Sequence, residues 1–260
     1  MTQTVSLEEL VKSGAHFGHQ SKRWNPKMAE YLYGEKDGIH IFDLTKTKEK
    51  LEEALAVIKQ TAKEGKTILF IGTKKQVKDK LVETAKATNS FYINERWLGG
   101  TLSNFEQIKK SIKKLADLKK GLTTGEFNEY TKKERLLLER EMLRLERIVG
   151  GLTGMEKRPD LLVIIDTKKE SSVIKEARRL KVMMVGISDS NSDPNDTDYV
   201  IPMNDDATNA LTYVLDLMRD AILEGQGKEV NKEQKTKSKG EEKTEEKPKK
   251  VKSAKLKVQS

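Results

Sequence analysis

Residues 161–165 are Leu-Leu-Val-Ile-Ile, and this uninterrupted apolar run, which ends at Asp166, decides the fold class of the 260-residue chain. A strand that is apolar at every position is typical of a parallel sheet with both faces covered by helices. Four further apolar runs predict strands at residues 67–71, 91–93, 182–187 and 199–201. Helices are predicted at residues 6–12, 48–64, 76–87, 171–180 and 206–223. This alternation predicts an α/β, doubly wound fold with a mainly parallel five-stranded sheet of the flavodoxin or Rossmann type.

Residues 105–149 interrupt the alternation, because they contain no predicted strand. Their apolar side chains recur at steps of three and four in two groups, which are joined by a turn containing Gly121 and Gly125. This spacing predicts an antiparallel helical hairpin, a coiled coil inserted in the sheet domain. The predicted divisions are an N-terminal helix and arm (1–45), the sheet domain (46–104 and 150–225), the hairpin (105–149) and a tail (226–260).

The charge of the chain is unevenly distributed. The net charge is +9, and residues 229–260, with 11 Lys and 6 Glu, account for +5 of it. Such a tail is predicted to be disordered and either attracts RNA weakly or only aids solubility. The remaining +4 favours a polyanionic partner bound through local patches, and no homo-oligomer is expected.

Composition also limits the class of protein. The chain has no cysteine, which excludes a disulfide framework and a thiolate metal site. No apolar run approaches the roughly 20 residues that span a bilayer, and the polar N-terminus lacks the apolar core of a signal peptide. A cytoplasmic protein with no membrane partner is therefore expected.

A basic and aromatic stretch at residues 14–28 is the first candidate binding site. Lys22, Arg23 and Lys27 surround Trp24, and the turn at Asn25-Pro26 follows the indole. Cations beside an aromatic face suit nucleic acid, because the charges contact phosphates and the ring stacks on a base or packs on a ribose. The alternative is an arm that packs on the core and leaves its charges in water.

Several motifs along the chain resemble those of the bacterial small-subunit ribosomal protein of the S-two family. They lie in order at residues 14–28, 33–44, 73–76, 95–105, 132–135, 193–194 and 198–207. The resemblance implies a coiled-coil protrusion and a structural role in the small ribosomal subunit, near its head–body junction on the solvent side. It also implies contact with small-subunit rRNA and neighbouring proteins, including ribosomal protein S-one, with no cofactor and no catalysis. The chain departs from the family at residues 181–183 and at Met203, where members have Gly-Ile-Pro and glycine, which affects only local geometry.

Three basic regions supply the predicted RNA-binding residues: the arm, the loop after the first strand of the sheet, and the first hairpin helix, with one arginine from the motif at 95–105. The set is Lys22, Arg23, Trp24, Lys27, Lys74, Lys75, Arg96, Lys109, Lys110, Lys113 and Lys114. Lysines one helical turn apart form a basic flank on the hairpin. The alternative for each hairpin lysine is an ordinary solvated helix face.

The competing function is an enzyme that binds a nucleotide or a phosphate compound at the carboxyl ends of the strands. Residues 72–75 resemble a phosphate loop but lack its spacing. Aspartates lie near predicted strand ends, where Mg²⁺ binding is an alternative to roles in turns and caps. They are Asp166, Asp189, Asp193, Asp196 and Asp198. His16 and His19 are spaced to share a metal, but nothing beyond His40 or an aspartate offers a third ligand, so no metal site and no catalytic residue are predicted.

Overall fold

The computed structural model describes residues 5–228 of the chain, apart from the side chain of Asn128. The strands are β1 Phe17–Gln20, β2 Leu32–Lys36, β3 Ile39–Phe42, β4 Ile68–Ile71, β5 Phe91–Ile93, β6 Leu161–Ile165, β7 Met183–Ser188 and β8 Tyr199–Pro202. The helices are α1 Leu7–Lys12, α2 Leu44–Lys63, α3 Lys78–Ala87, α4 Phe105–Thr124, α5 Lys132–Val149, α6 Ser171–Leu180 and α7 Thr208–Gly225. Short 3-10 turns lie at Ser21–Arg23, Pro26–Tyr31, Glu126–Glu129, Gly150–Leu152 and Pro194–Asp196.

The large sheet has five strands in the order β5-β4-β6-β7-β8, and every neighbouring pair is parallel. This is the flavodoxin-like order, in which the winding direction reverses between β4 and β6. The doubly wound prediction is confirmed. Such folds bind ligands in the crevice between the carboxyl ends of the strands at this reversal, here β4 and β6. The residues that follow these two strands therefore form the candidate ligand site.

Both faces of the sheet are buried, which explains the uninterrupted apolar runs. Alternate residues of a strand point to opposite faces. Ile68 and Phe70 pack in one cluster with α2, α3 and α7, whereas Leu69 and Ile71 pack in the other with α4 and α6. The sheet therefore lies between two layers of helices.

Residues 17–42 form a second sheet that the sequence analysis did not predict. Its three strands are antiparallel in the order β1-β3-β2. Asp37 and Gly38 connect β2 to β3 with φ angles of 53° and 75°. Positive φ at two successive residues is typical of the tight hairpin turn that Asp-Gly favours. The basic arm is thus partly a β-strand.

The segment 105–149 contains the two predicted helices, α4 and α5, which contact each other. Ion pairs join Lys114 to Glu141 and Lys119 to Glu146. Each of these pairs joins residues 27 positions apart. In a regular antiparallel pair of helices, the sequence separation between contacting residues becomes smaller toward the turn. The coiled-coil geometry therefore stays a prediction.

The hairpin is continuous with the sheet domain through its apolar side. Phe105, Ile108 and Ile112 belong to the same buried cluster as Leu69 and Ile71 of the sheet. The division of the chain into domains stays a prediction, and the tail beyond residue 228 lies outside the described residues. Within residues 5–228, none of the helices combines the length and apolar character needed to cross a membrane.

Candidate nucleic-acid interface

The arm is fixed to the sheet domain by backbone hydrogen bonds to Ser190, which follows β7. The backbone N–H of His19 donates to Ser190 Oγ at 2.8 Å, and the N–H of Asn25 donates to the Ser190 carbonyl at 2.7 Å. Gly18 permits this approach, because a Cβ atom there would lie 2.9 Å from Ser190 Oγ. Asn25 also caps the 3-10 turn that begins at Pro26.

The indole of Trp24 lies at the surface and directly follows two exposed cations in the sequence. Its ring centroid is 4.9 Å from that of His40, and 37% of the residue is exposed. Lys22 and Arg23 are exposed, and no described carboxylate forms an ion pair with either. Their charges are therefore available to an external anion.

Lys27 has a different position, because its Nζ lies 2.5 Å from Asp193 Oδ2. Burial opposes the ionised form of Asp193, but hydrogen bonds from Lys27 Nζ and the Asn195 N–H hold the pKa of this carboxyl below its usual value. This ion pair offsets part of the charge that Lys27 would present to a phosphate.

Lys74 points into the crevice at the winding reversal and is surrounded by carboxylates. Its Nζ lies 3.0 Å from Asp166 Oδ2, 2.7 Å from Asp205 Oδ1 and 2.8 Å from Asp206 Oδ1. Burial alone would lower the pKa of Lys74, but the charge and hydrogen bonds of Asp205, Asp206 and Asp166 raise it above its ordinary value. This lysine carries a charge that is already balanced from within the protein.

The carboxylates around Lys74 are mostly buried. Asp166 adopts a left-handed φ of 69° at the end of β6, a conformation that aspartate tolerates better than most residues, and its Oδ1 accepts a hydrogen bond from the Lys169 N–H. Asp205 is 1% exposed. Burial, followed by the charges of Asp189 and Asp166, raises the pKa of Asp205 to about 8, while Lys74 acts in the opposite direction.

Asp189 connects this cluster to the arm. Its Oδ1 accepts hydrogen bonds from the N–H and hydroxyl of Ser190, and its Oδ2 lies 3.1 Å from His19 Nδ1. The hydrogen bond to Asp189 raises the pKa of His19 despite partial burial. Asp189 therefore orients both the histidine of β1 and the loop that fixes the arm.

The other predicted aspartates are turn and cap residues. Asp193 caps the turn at Pro194–Asp196, Asp196 pairs with Arg178 at 3.2 Å, and Asp198 accepts a hydrogen bond from the Met184 N–H at 2.8 Å. His16 does not join His19 in the cluster of potential metal ligands among the described residues.

The loop before α4 is fixed by a single carboxylate of α6. Glu176 Oε2 accepts from Trp97 Nε1 at 3.0 Å and the Gly100 N–H at 3.3 Å, and its Oε1 accepts from Leu102 and Ser103. Burial opposes the ionised form of Glu176, but these donors lower its pKa overall. Arg96, in the same loop, is exposed.

The basic side chains of the remaining regions are at the surface. Lys75, Lys109, Lys110 and Lys113 are exposed and form no ion pair within residues 5–228. Lys114 differs, because Glu141 of α5 lies 3.1 Å away. The contact of each predicted residue with RNA stays a prediction.

Sequence reasoning missed three acidic residues that organise this region: Asp205, Asp206 and Glu176. Asp205 and Asp206 lie in the loop that follows β8, so their position after a predicted strand was an available signal. Glu176 had none, because a glutamate in a polar stretch of a helix gives no sign of the loop that it contacts.

A comparison with known protein families gives one match. The sequence model of the family described as Ribosomal protein S2 matches residues 10–225. The match covers the arm, both sheets and the hairpin, and it includes all the motifs that carry the resemblance. Because it spans most of the 260 residues, the chain belongs to the ribosomal protein S2 family, whose members are proteins of the small ribosomal subunit.

Proposed function

We propose that this chain is a structural constituent of the small ribosomal subunit that binds the rRNA of that subunit and has no catalytic activity. The observation that carries the proposal is the pair Lys22 and Arg23, two exposed cations without ion-pair partners in the described part of the chain. The partly exposed ring of Trp24 follows them directly in the sequence. Phosphate contacts position a protein on RNA, and an aromatic face adds stacking.

The other exposed cations of the predicted set are further candidates for contact with phosphates. Lys75, Arg96, Lys109, Lys110 and Lys113 have charges that no described carboxylate balances. Each phosphate contact by such a group releases a counterion and strengthens binding. Lys27 and Lys114 contribute after exchange of a carboxylate partner. We give Lys74 no phosphate contact, because three carboxylates already surround its ammonium group.

The crevice at the winding reversal argues against the competing phosphate-binding enzyme. A phosphate placed beside residues 72–75 would face Asp166, Asp205, Asp206 and Glu170, since the Thr73 hydroxyl donates to Glu170 Oε1 at 2.6 Å. Among the described residues, Lys74 is the lysine that pairs with Asp166, Asp205 and Asp206. The carboxylates of Asp166 and Asp206 would repel a phosphate placed there, so the crevice is electrostatically unfavourable for a nucleotide.

Two finer parts of the proposal rest on the family. We infer that the protein helps to anchor ribosomal protein S-one to the subunit and that it works in the cytoplasm. Small subunits reconstituted with and without this protein test the first part: loss of S-one from the subunits that lack it, measured after sedimentation, is the expected result. Equal retention of S-one would contradict it.

The rRNA proposal is tested by the salt dependence of binding. Full-length protein is titrated against small-subunit rRNA at several salt concentrations, with the double variant Lys22→Ala, Arg23→Ala. Loss of two phosphate contacts should weaken binding and reduce the slope of log K against log salt by about 1.4–1.8. The double variant Lys63→Ala, Lys86→Ala is the matched control, because it removes the same charge from exposed positions outside the predicted set. Equal slopes for both variants would refute the proposed arm contact.

A further inference from the structure

Helix α5 carries three leucines on the side that faces away from the buried core. Its inner side chains, which include Leu145 and Val149, pack in the same apolar cluster as the first turns of α4. Leu136, Leu137 and Leu143 are 46%, 54% and 61% exposed. Successive helical residues are about 100° apart, so Leu143 lies about 200° from Leu145 and points away from that cluster. The packing of the hairpin therefore leaves these leucines in water.

Cations lie among the exposed leucines. Leu136, Arg140 and Leu143 follow one another at steps of four and three, which places them on one side of the helix. Lys133 precedes Leu136 by three residues, and Arg144 follows one turn after Arg140. The outer face of α5 is defined by these six residues: Lys133, Leu136, Leu137, Arg140, Leu143 and Arg144.

The cations of the outer face are available to a partner. Lys133, Arg140 and Arg144 are exposed, and the first two form no ion pair within residues 5–228. Arg144 lies 3.6 Å from a carboxylate oxygen of Glu141 on its own helix. That carboxylate is shared, because Glu141 also pairs with a lysine of α4 at 3.1 Å.

Most carboxylates of α5 are used within the hairpin. Glu141 and Glu146 pair with lysines of α4, and Glu134 completes the capping box at the start of α5. Glu139 is exposed and lies about 100° around the helix from Arg140, at the edge of the outer face. The outer face therefore combines apolar side chains with a net positive charge.

This combination fits an acidic amphipathic helix better than RNA or a second copy of the chain. RNA bases stack on aromatic rings, and residues 132–149 contain none. Two copies of the outer face would bring cations against cations, which is unfavourable. A helix with apolar residues along one side and carboxylates beside them would cover the leucines and pair with the cations.

We propose that the outer face of α5 is a docking site for an acidic amphipathic helix of another protein. Leu136 and Leu143, seven residues apart, form an apolar seam of the kind that joins helices in a coiled coil. Arg140 lies between them, where it can pair with a carboxylate of the partner. The inference goes beyond the proposed function and does not rest on rRNA binding, because none of the six residues belongs to the proposed RNA-contacting set.

The first test uses purified full-length protein and a fluorescent synthetic peptide of about 21 residues, or three heptads. The peptide has leucine at the a and d positions and glutamate at the e and g positions. We expect saturable binding, measured by fluorescence anisotropy, and no binding of a peptide with lysine in place of every glutamate. Because the protein is free of RNA, this outcome is independent of the rRNA titration.

Variants of the protein assign the binding to the outer face. The double variant Leu136→Gln, Leu143→Gln should weaken peptide binding by about tenfold or more, because it removes the apolar seam. Both leucines are exposed, so the melting temperature should not change. Arg140→Glu should weaken binding as well. The matched controls are Val11→Gln and Lys86→Glu, which alter exposed positions on α1 and α3 and should bind the peptide as the original protein does.

The second test identifies the natural occupant in small subunits reconstituted with the full-length protein. A photoreactive benzophenone side chain at position 143 should form a cross-link to an acidic helical segment of another protein. Cross-links confined to rRNA, or none, would overturn the proposal. It is also overturned if the glutamate peptide does not bind, if the lysine peptide binds equally well, or if the double leucine variant keeps its affinity.

Discussion

Removal of the Glu176 carboxylate should destabilise the protein strongly, although the residue lies on a helix surface and only part of it is buried. Five donors converge on it, from the indole of Trp97, the backbone of Gly100, Leu102 and Ser103, and the Ser103 hydroxyl. The donors of Ser103, which is exposed, can bind water instead, and the Gly100 bond is the longest. Leu102 and Trp97 are 0% and 7% exposed, so their two donors lose their partner in a buried place.

Each buried donor left unsatisfied costs about 1–3 kcal/mol, so the loss of a partner for two of them in Glu176→Ala should lower the free energy of unfolding by about 2–6 kcal/mol. Glu176→Gln should cost less, about 1–2 kcal/mol, because one amide oxygen can still accept from Leu102 and Ser103 while the amide N–H₂ faces the Trp97 N–H. The assay is urea unfolding followed by circular dichroism, with Trp97 fluorescence as a local probe. Lys175→Ala, an exposed change on the same helix, should lie within about 0.5 kcal/mol of the original protein.

The effect should also depend on pH. The pKa of Glu176 is lowered in the folded protein, so its contribution is present above the pKa of the unfolded chain and is lost as the pH falls through the folded value. The difference between the original protein and Glu176→Ala should therefore shrink in acid. A cost below about 1 kcal/mol at neutral pH would refute the idea that this carboxylate fixes the loop.

Three further predictions concern packing, titration and the hairpin. Gly151→Ala should cost about 1–3 kcal/mol in urea unfolding, because its Cβ would lie 2.2 Å from the Tyr92 carbonyl oxygen, whereas Gly34→Ala has open space and should be nearly neutral; equal effects would contradict this. Burial raises the pKa of Glu170, so its ionised form costs stability above the pKa of the unfolded chain, and Glu170→Gln should stabilise the protein at pH 7 but not near pH 4; a pH-independent effect would count against it. Replacing Lys109, Lys110 and Lys113 with Ala should weaken rRNA binding in a filter assay without changing the melting temperature, and unchanged affinity would remove the hairpin from the interface.

The sequence was sufficient to predict the large sheet because a strand that is buried on both faces contains apolar residues at every position. Every residue of β4 and β6 is buried, so each strand appears as an apolar run. In β2, by contrast, four of five residues are exposed, and neither alternation nor an apolar run marks the strand. The Asp37-Gly38 turn is a local indication of the small sheet.

The candidate sites divide in the same way. The exposed cations of the arm could be named from composition, because charged side chains usually lie at the protein surface. The roles of Lys74 and Asp205 could not, because they depend on which strand ends the topology brings together. The sequence presents Lys74 as one of two adjacent lysines, and only the fold distinguishes it from Lys75, which is exposed.

The hydrogen bonds from His19 and Asn25 to Ser190 reduce the conformational entropy that the arm can still lose when it binds a partner. A segment that becomes ordered only on binding loses about 1–2 kcal/mol of backbone entropy per residue. In this chain the large sheet already holds the arm at two points on either side of Lys22 and Arg23. Most of that entropic cost is therefore met during folding, and more of the electrostatic attraction remains as net affinity.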